Sequence, residues 1–342
     1  MNMKVQIFLE AGLPPKQVNE LGLLAEGYGI DTVYASAFPA RRDAFQCLSA
    51  LAVNSSLIRV GVVPLSPFEI HPVRLSDMLQ TLNDMSDGRA SLVVGGMGQS
   101  IMRATGLKPD RRVRAVRECV EILRAASGDK PVNYEGEVYS AMNYFPDWTH
   151  AVAPHILVGA NGPMMLRVAG EVADGVMMSD VALGKMPEVL GNIDQGLAKR
   201  GLKRSAGSFR VSNFFAWHIK GSAVASMAEA RRELVWRGVL QKWYTEPFLG
   251  AEQAEFVEAN FDAFLQAFYR RSSEIEGIPE EVIQALVDNL TFSGGIDAIP
   301  AVVKHLKAFS AAGLDAITLK IHDNPEEAIG IIGEHLIPQL AA

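Results

Sequence analysis

Short runs rich in Val, Ile and Leu alternate with longer stretches whose apolar residues recur every three to four positions. A run of the first kind reads as a buried strand, and one of the second as an amphipathic helix packed against it. VQIFLE (5–10) precedes a helical pattern from Pro15 to Gly27, with Val18, Leu21, Leu24 and Ala25 on one face. DTVYAS (31–36) precedes a helix from Ala44 to Val53. IRVGVVP (58–64) precedes one that opens at Pro72, carries Val73, Leu75, Met78, Leu79 and Leu82, and ends at Asp87-Gly88. Proline in the first helical position loses no hydrogen bond, and Asp-Gly favours a turn. ASLVVGG (90–96) leads to a helix over 111–127, HILVGA (155–160) to one from Pro163 to Gly170, and DGVMMSD (174–180) to one ending near Leu202. FRVSNFFAWHIKG (209–221) is followed by helical patterning from Ser222 to Leu290, broken at Pro247, Gly250 and Pro279. A helix from Ile296 to Ala312, the strand DAITLKI (315–321) and the helix PEEAIGIIGEHLIPQL complete the series.

Eight strands separated by helices predict parallel βαβ units and a (β/α)8 barrel, an α/β fold of about 250 residues. The chain has 342 residues, and two irregular segments account for the excess: 130–154, which has hairpin character, and the helical 222–290. We therefore expect one barrel domain over 1–342 with insertions at those two places. An open doubly wound sheet would need a G-x-G-x-x-G turn after the first strand, and none is there.

Composition narrows the function classes. Hydrophobic residues make up 49% and charged ones 21%, which fits a large packed core. The net charge of −7, without a long basic tract, argues against nucleic acid as a partner. No apolar run reaches the roughly 18 residues needed to span a bilayer, and the start reads as a first strand rather than a signal peptide. Cys47 and Cys119, far apart in apolar helical contexts, read as buried thiols, and a cytoplasmic location is expected.

In a barrel, chemistry sits at the C-terminal strand ends. Here these carry Glu10; Ser36, Phe38 and Arg41; Pro64 to His71; Gly95 to Gln99; Gly159 to Pro163; Ser179 and Asp180; His218 and Lys220; His322 and Asp323. VGANGPMML ends a strand in Gly159, Asn161 and Gly162 and starts a helix at Pro163. Glycines let backbone approach a ligand, and the free N–H groups of a helix start favour an anion such as phosphate. A tight strand-to-helix turn explains the same residues equally well. GGMGQS (95–100) offers the same pair of readings, close approach of a flat ligand or plain turn geometry, and is no P-loop. The seven histidines lack metal-ligand spacing, and no G-x-S-x-G occurs, so neither a metal site nor a nucleophile elbow is expected. The basic run Arg111, Arg112, Arg114 and Arg117 reads as a solvated helix face, with Arg111 early enough to meet a ligand anion.

Three segments, GVVPLSPFEIHPVRLSDMLQTLNDMSDGRASLVVGGMG, HILVGANGPMMLRVAGEVADGVMM and LTFSGGIDAIPAVVKHLKAFSAAGLDAITLKI, together resemble the luciferase-like flavin and deazaflavin oxidoreductases. They are most similar to the methylenetetrahydromethanopterin reductase-like branch, over residues 1–220 and 290–342. The resemblance implies hydride transfer between coenzyme F420 (8-hydroxy-5-deazaflavin) and a small organic substrate, in a homodimer. FMN with monooxygenation is the alternative, and a non-catalytic binding partner is the reading from another class. The coenzyme's ring would lie against Val63 and Pro64, where many relatives have a cis peptide and a bulge, with Gly95, Gly96 and Met97 on its other side. Its phosphate would bind at Gly159, Ala160, Asn161 and Gly162, at the helix start Pro163. Relatives often carry Asp-His after strand two, where this chain has Ala37 and Phe38. With that proton donor missing, either the chemistry needs hydride transfer alone or Glu10, Glu69 or His71 supplies the proton. For Glu69 and His71 the competing reading is a polar helix-entry loop.

Overall fold

The computed structural model describes residues 3–10, 12–204 and 209–341. Its strands are β1 (Lys4–Leu9), β2 (Thr32–Ser36), β3 (Arg59–Leu65), β4 (Ala90–Val94), β5 (Val132–Glu135), β6 (Ser140–Tyr144), β7 (His155–Gly159), β8 (Gly175–Ser179), β9 (Arg210–Trp217), β10 (Thr291–Phe292) and β11 (Ala316–Ile321). The main sheet runs β10-β9-β11-β1-β2-β3-β4-β7-β8, and β8 pairs back with β9. This is the expected α/β (β/α)8 barrel. The helices are α1 (Pro15–Gly27), α2 (Ala44–Asn54), α3 (Pro72–Met85), α4 (Gln99–Thr105), α5 (Arg112–Ala125), α6 (Pro163–Val172), α7 (Met186–Lys199), α8 (Ala223–Glu233), α9 (Lys242–Leu249), α10 (Ala251–Ala259), α11 (Phe261–Tyr269), α12 (Glu280–Leu290), α13 (Ile299–Ala311) and α14 (Pro325–Ile331).

The chain divides into two compact units, one of residues 6–177 and 189–212, the other of 178–188, 213–341 and the first few residues. In the first unit β1 to β4, β7 and β8 pair in parallel, in registers such as Tyr34↔Gly61, Val62↔Leu92 and Leu157↔Gly175. Val60, Val62, Leu92 and Leu157 are fully buried, as residues covered on both sheet faces must be. The helices start where the sequence signals it. Pro15, Pro72 and Pro163 occupy first-turn positions, and Asp43 caps α2 by accepting the Gln46 N–H at 2.9 Å. Arg89 has a structural task, since its guanidinium donates to the carbonyls of Ala52 (3.1 Å), Ser55 (2.8 Å) and Ile58 (2.5 Å). A cation on the last carbonyls of α2 ties that helix end to the start of β4.

The 130–154 segment forms the antiparallel hairpin β5–β6, with its own small core of Ile122, Ala126, Val132 and Ala141. In the second unit the 222–290 segment is helical and carries a separate core that includes Leu234, Val257, Phe264 and Leu286.

Four expectations need correction. No cis peptide bond occurs among the described residues, so Val63–Pro64 is trans, although β3 does show a register shift between Val62 and Leu65. Pro247 lies inside α9, so the break there comes at Gly250 instead (φ 78°). Gly170 does not end its helix. It lies within α6, where a methyl group would sit 2.5 Å from the Ile193 carbonyl oxygen, so α6 and α7 approach closely at that point. The helix α4, after the glycines of β4, was not foreseen.

Candidate active site

The pairing order β3-β4-β7 sets the ends of these strands side by side in the first unit. It thereby joins the two glycine-rich strand ends. A Cβ on Gly95 would lie 3.3 Å from Cβ of Pro64, and one on Gly159 would lie 3.3 Å from Val93 Cγ1 and 4.0 Å from the Gly95 Cα. The Gly95 N–H donates to the Leu65 carbonyl at 2.9 Å, which fixes the step from β3 to β4. The result is a row of bare backbone from Pro64, whose ring is exposed at the end of an otherwise buried strand, through Gly95 to Gly159. Val63 is buried beneath it. Met97, also buried, takes the left-handed conformation (φ 70°), which turns the chain sharply after Gly96. A Cβ on Gly96 would meet Met165 Cε at 3.2 Å and Arg112 Cβ at 3.8 Å.

The row leads to the start of α6. Ala160 is buried and its N–H donates to the Met177 carbonyl at 3.1 Å. Asn161 is half-buried, and Gly162 and Pro163 are exposed. Gly162 is the N-cap of α6, no side chain caps the helix, and Leu166 is the first residue to bond back, to the Gly162 carbonyl at 3.0 Å. Nothing lies within 4 Å of where a Cβ on Gly162 would be. An uncapped helix start with open backbone around it suits an anion. These residues fit the phosphate of a coenzyme, because no side chain caps the helix start and the space beside Gly162 is open.

The proton-donor candidates separate. Glu10 is half-buried just after β1, and its carbonyl accepts the Leu13 N–H at 3.3 Å. Glu69 and His71 share the loop after β3. His71 is the N-cap of α3, with Nδ1 accepting the Val73 N–H at 3.3 Å, so the helix-entry reading holds for it. The half-buried Glu69 carboxylate accepts the Ser66 N–H at 3.1 Å. Burial pushes its carboxyl above the usual carboxylate range, and the Ser66 N–H opposes that shift. Phe38 is exposed after β2, and the Ala37 N–H donates to the Val63 carbonyl at 2.9 Å, so neither residue offers an acid. Arg111, read as a possible anion ligand, lies beside Asp110 and Glu137 instead, at 3.9 and 3.4 Å.

Two charge clusters come together in the fold; the sequence names Asp180, His218, Lys220, His322 and Asp323 as strand-end residues but not Glu118, Glu229, Arg232, Glu233 or Arg237. In the first unit Glu118 is fully buried and accepts the N–H groups of Glu137 (2.8 Å), Val138 (2.9 Å) and Tyr139 (2.8 Å), with Arg114 at 2.7 Å. These bonds hold its carboxyl below the usual range against the cost of burial. The available signal was a Glu within the apolar stripe Ala115, Val116, Cys119, Ile122. In the second unit His218 Nδ1 lies 2.7 Å from Glu229, whose other oxygen is 2.9 Å from Lys220 Nζ. His322 stacks on His218 at 5.1 Å, and Arg232 bridges Glu233 and Asp323. Asp180, also buried, accepts from the Gly238 N–H at 2.9 Å and from Arg237 at 3.2 Å.

Residues 3–316 match the family described as luciferase-like monooxygenase. The chain belongs to that family. Over 319 residues it is 26% identical to a 5,10-methylenetetrahydromethanopterin reductase of Archaeoglobus fulgidus, covering 93% of each chain. It is also 32% identical over 209 residues to an F420-dependent glucose-6-phosphate dehydrogenase of Microbacterium testaceum, covering 56% of this chain and 61% of that one. The coenzyme F420 dependent tetrahydromethanopterin reductase of Methanopyrus kandleri has the same architecture, with a TM-score of 0.86 over 99% of this chain and all of that one at 19% identity. The chain is thus an oxidoreductase, and the non-catalytic reading is set aside.

Proposed function

We propose that this oxidoreductase transfers a hydride between coenzyme F420 and a small organic substrate. The observation that carries the reading is the row of bare backbone from Pro64 through Gly95 to Gly159, ending at the uncapped start of α6. Gly159, Ala160, Asn161 and Gly162, with the first-turn N–H groups beyond Pro163, would hold the phosphate. Val63, Pro64, Gly95, Gly96 and Met97 would flank the ring. The bound deazaflavin supplies two-electron hydride chemistry, and the protein supplies position and exclusion of water. Family relatives whose names specify F420 support this coenzyme over FMN.

Glu69 is our candidate proton donor. Its half-buried carboxyl stays protonated further up the pH scale than an exposed one, which is what a general acid near neutral pH requires. His71 is exposed, and its Nδ1 is engaged in capping α3.

Titration of the purified chain with F420 and with FMN, followed by fluorescence quenching, tests the coenzyme. We expect micromolar F420 binding, and oxidation of reduced F420 by one of a panel of small carbonyl and imine compounds. Tighter FMN binding with oxygen uptake on adding reduced FMN would replace this reading with monooxygenation.

A further inference from the structure

The β5–β6 hairpin is more than an excursion between β4 and β7. Its tip is gripped by a fully buried side chain, since the Glu118 carboxylate collects three consecutive N–H groups from 137–139. Gly136 is required beside it, because a Cβ there would lie 2.3 Å from Glu118 Oε2. From this anchored tip Tyr139 reaches to the loop after β3. Its hydroxyl donates to the Pro67 carbonyl at 2.8 Å, and its ring meets the His71 ring edge-on at 5.4 Å. Those two contacts bracket Glu69, which lies midway in Pro67–Phe68–Glu69–Ile70–His71. The loop is already stiff, with Pro67 and Pro72 at its ends, and Ser66 accepts the N–H groups of Glu69 (3.0 Å) and Ile70 (3.4 Å) on its carbonyl. Burial pushes the Tyr139 phenol up to about 12, so it remains a donor to Pro67 at any pH the protein meets.

We propose that the hairpin is a clip for the loop after β3, with Tyr139 the positioning residue that keeps Glu69 in its half-buried place. The inference rests on the reading of Glu69 as proton donor, but its physical content concerns the protein without coenzyme. The other hairpin phenols hold different targets. Tyr144 donates to Asp77 in α3 at 2.8 Å and Tyr134 to Glu121 in α5 at 2.6 Å. This provides an internal control, since losing either hydroxyl loosens the hairpin while only Tyr139 touches the loop.

The test is a carboxyl-carbon NMR titration of Glu69, assigned with Glu69→Gln, together with amide hydrogen exchange at Glu69 and Ile70, in wild type, Tyr139→Phe and Tyr144→Phe. We expect Tyr139→Phe to move the Glu69 titration down towards ordinary carboxylates and to speed exchange at the two amides about tenfold, the equivalent of one lost hydrogen bond. Tyr144→Phe should change neither. Equal changes in both variants, or none in Tyr139→Phe, would overturn the proposal. Glu118→Gln, which weakens the grip on the tip, should reproduce the Tyr139→Phe effect in direction. Because none of these readouts needs coenzyme, failure of F420 to bind would refute the proposed function without touching this result.

Discussion

The ends of β4 and β7 in the first unit and the ends of β9 and β11 in the second are built in opposite ways. At Gly95, Gly96, Gly159 and Gly162 side chains are absent and backbone is bare. Beyond β9 and β11, Lys220, Glu229, Glu233, Arg232 and Asp323 pair at short distances and His218 Nδ1 meets Glu229, although the buried His218 Nε2 has no partner. The first arrangement leaves the first-turn N–H groups of α6 uncapped by any side chain. The second has spent most of its charges on internal pairs, which makes it costly to disturb. Strand ends alone therefore do not mark a binding site, because what matters is whether their polar groups are already paired.

The largest predicted effect lies with the paired charges of the second unit. Asp180→Ala leaves Arg237 buried without its carboxylate and should cost about 3–5 kcal/mol in denaturant unfolding. A loss below about 1 kcal/mol would mean that the buried pair is not a real constraint. The glycine shelf should behave in reverse. Gly162→Val should lower F420 affinity at least tenfold, about 1.4 kcal/mol, with little loss of fold stability, since nothing of the protein lies within 4 Å of the added Cβ. An unfolded variant, or one that binds normally, would break the contrast.

Acid should expose a further effect at the start of β7. Burial, with Arg210 nearby, pushes His155 down to about 4 from an ordinary 6.5. The unfolded chain therefore takes up this proton first. Stability attributable to His155 is complete above pH 6.5 and falls by about 1.4 kcal/mol per pH unit until pH approaches 4. His155→Gln should flatten that slope in denaturation curves measured against pH, and an unchanged slope would assign the loss elsewhere. The smallest effect belongs to Glu69. Its raised carboxyl binds a proton more tightly when folded, so its contribution is present at low pH and lost as pH rises through the folded value. Glu69→Gln should match wild type in acid and be slightly more stable at neutral pH, by under about 1 kcal/mol because the group is half-exposed.

Much of the barrel was legible because strand runs such as ASLVV and HILVG are apolar throughout and helices begin at Pro15, Pro72 and Pro163. The two glycine clusters could be located as strand ends, but their adjacency follows from the β4–β7 pairing, which local patterning does not encode. Gly170 looked like a helix stop because a missing side chain favours a terminus, yet tight packing on α7 demands the same residue. The trans Val63–Pro64 bond shows that the bulge in β3 needs no cis proline. Glu118, Glu229 and Arg237 were illegible for another reason. Periodicity reports that a position is buried, whereas partners such as Tyr139 for Glu118, His218 for Glu229 and Asp180 for Arg237 lie 21, 11 and 57 residues away and are chosen by the fold.

The most direct test is the F420 titration repeated with wild type, Gly162→Val and Gly128→Ala, the last a glycine in the turn after α5. We expect micromolar binding by wild type and Gly128→Ala and at least tenfold weaker binding by Gly162→Val. Equal affinity in all three, or no binding by any, would contradict this.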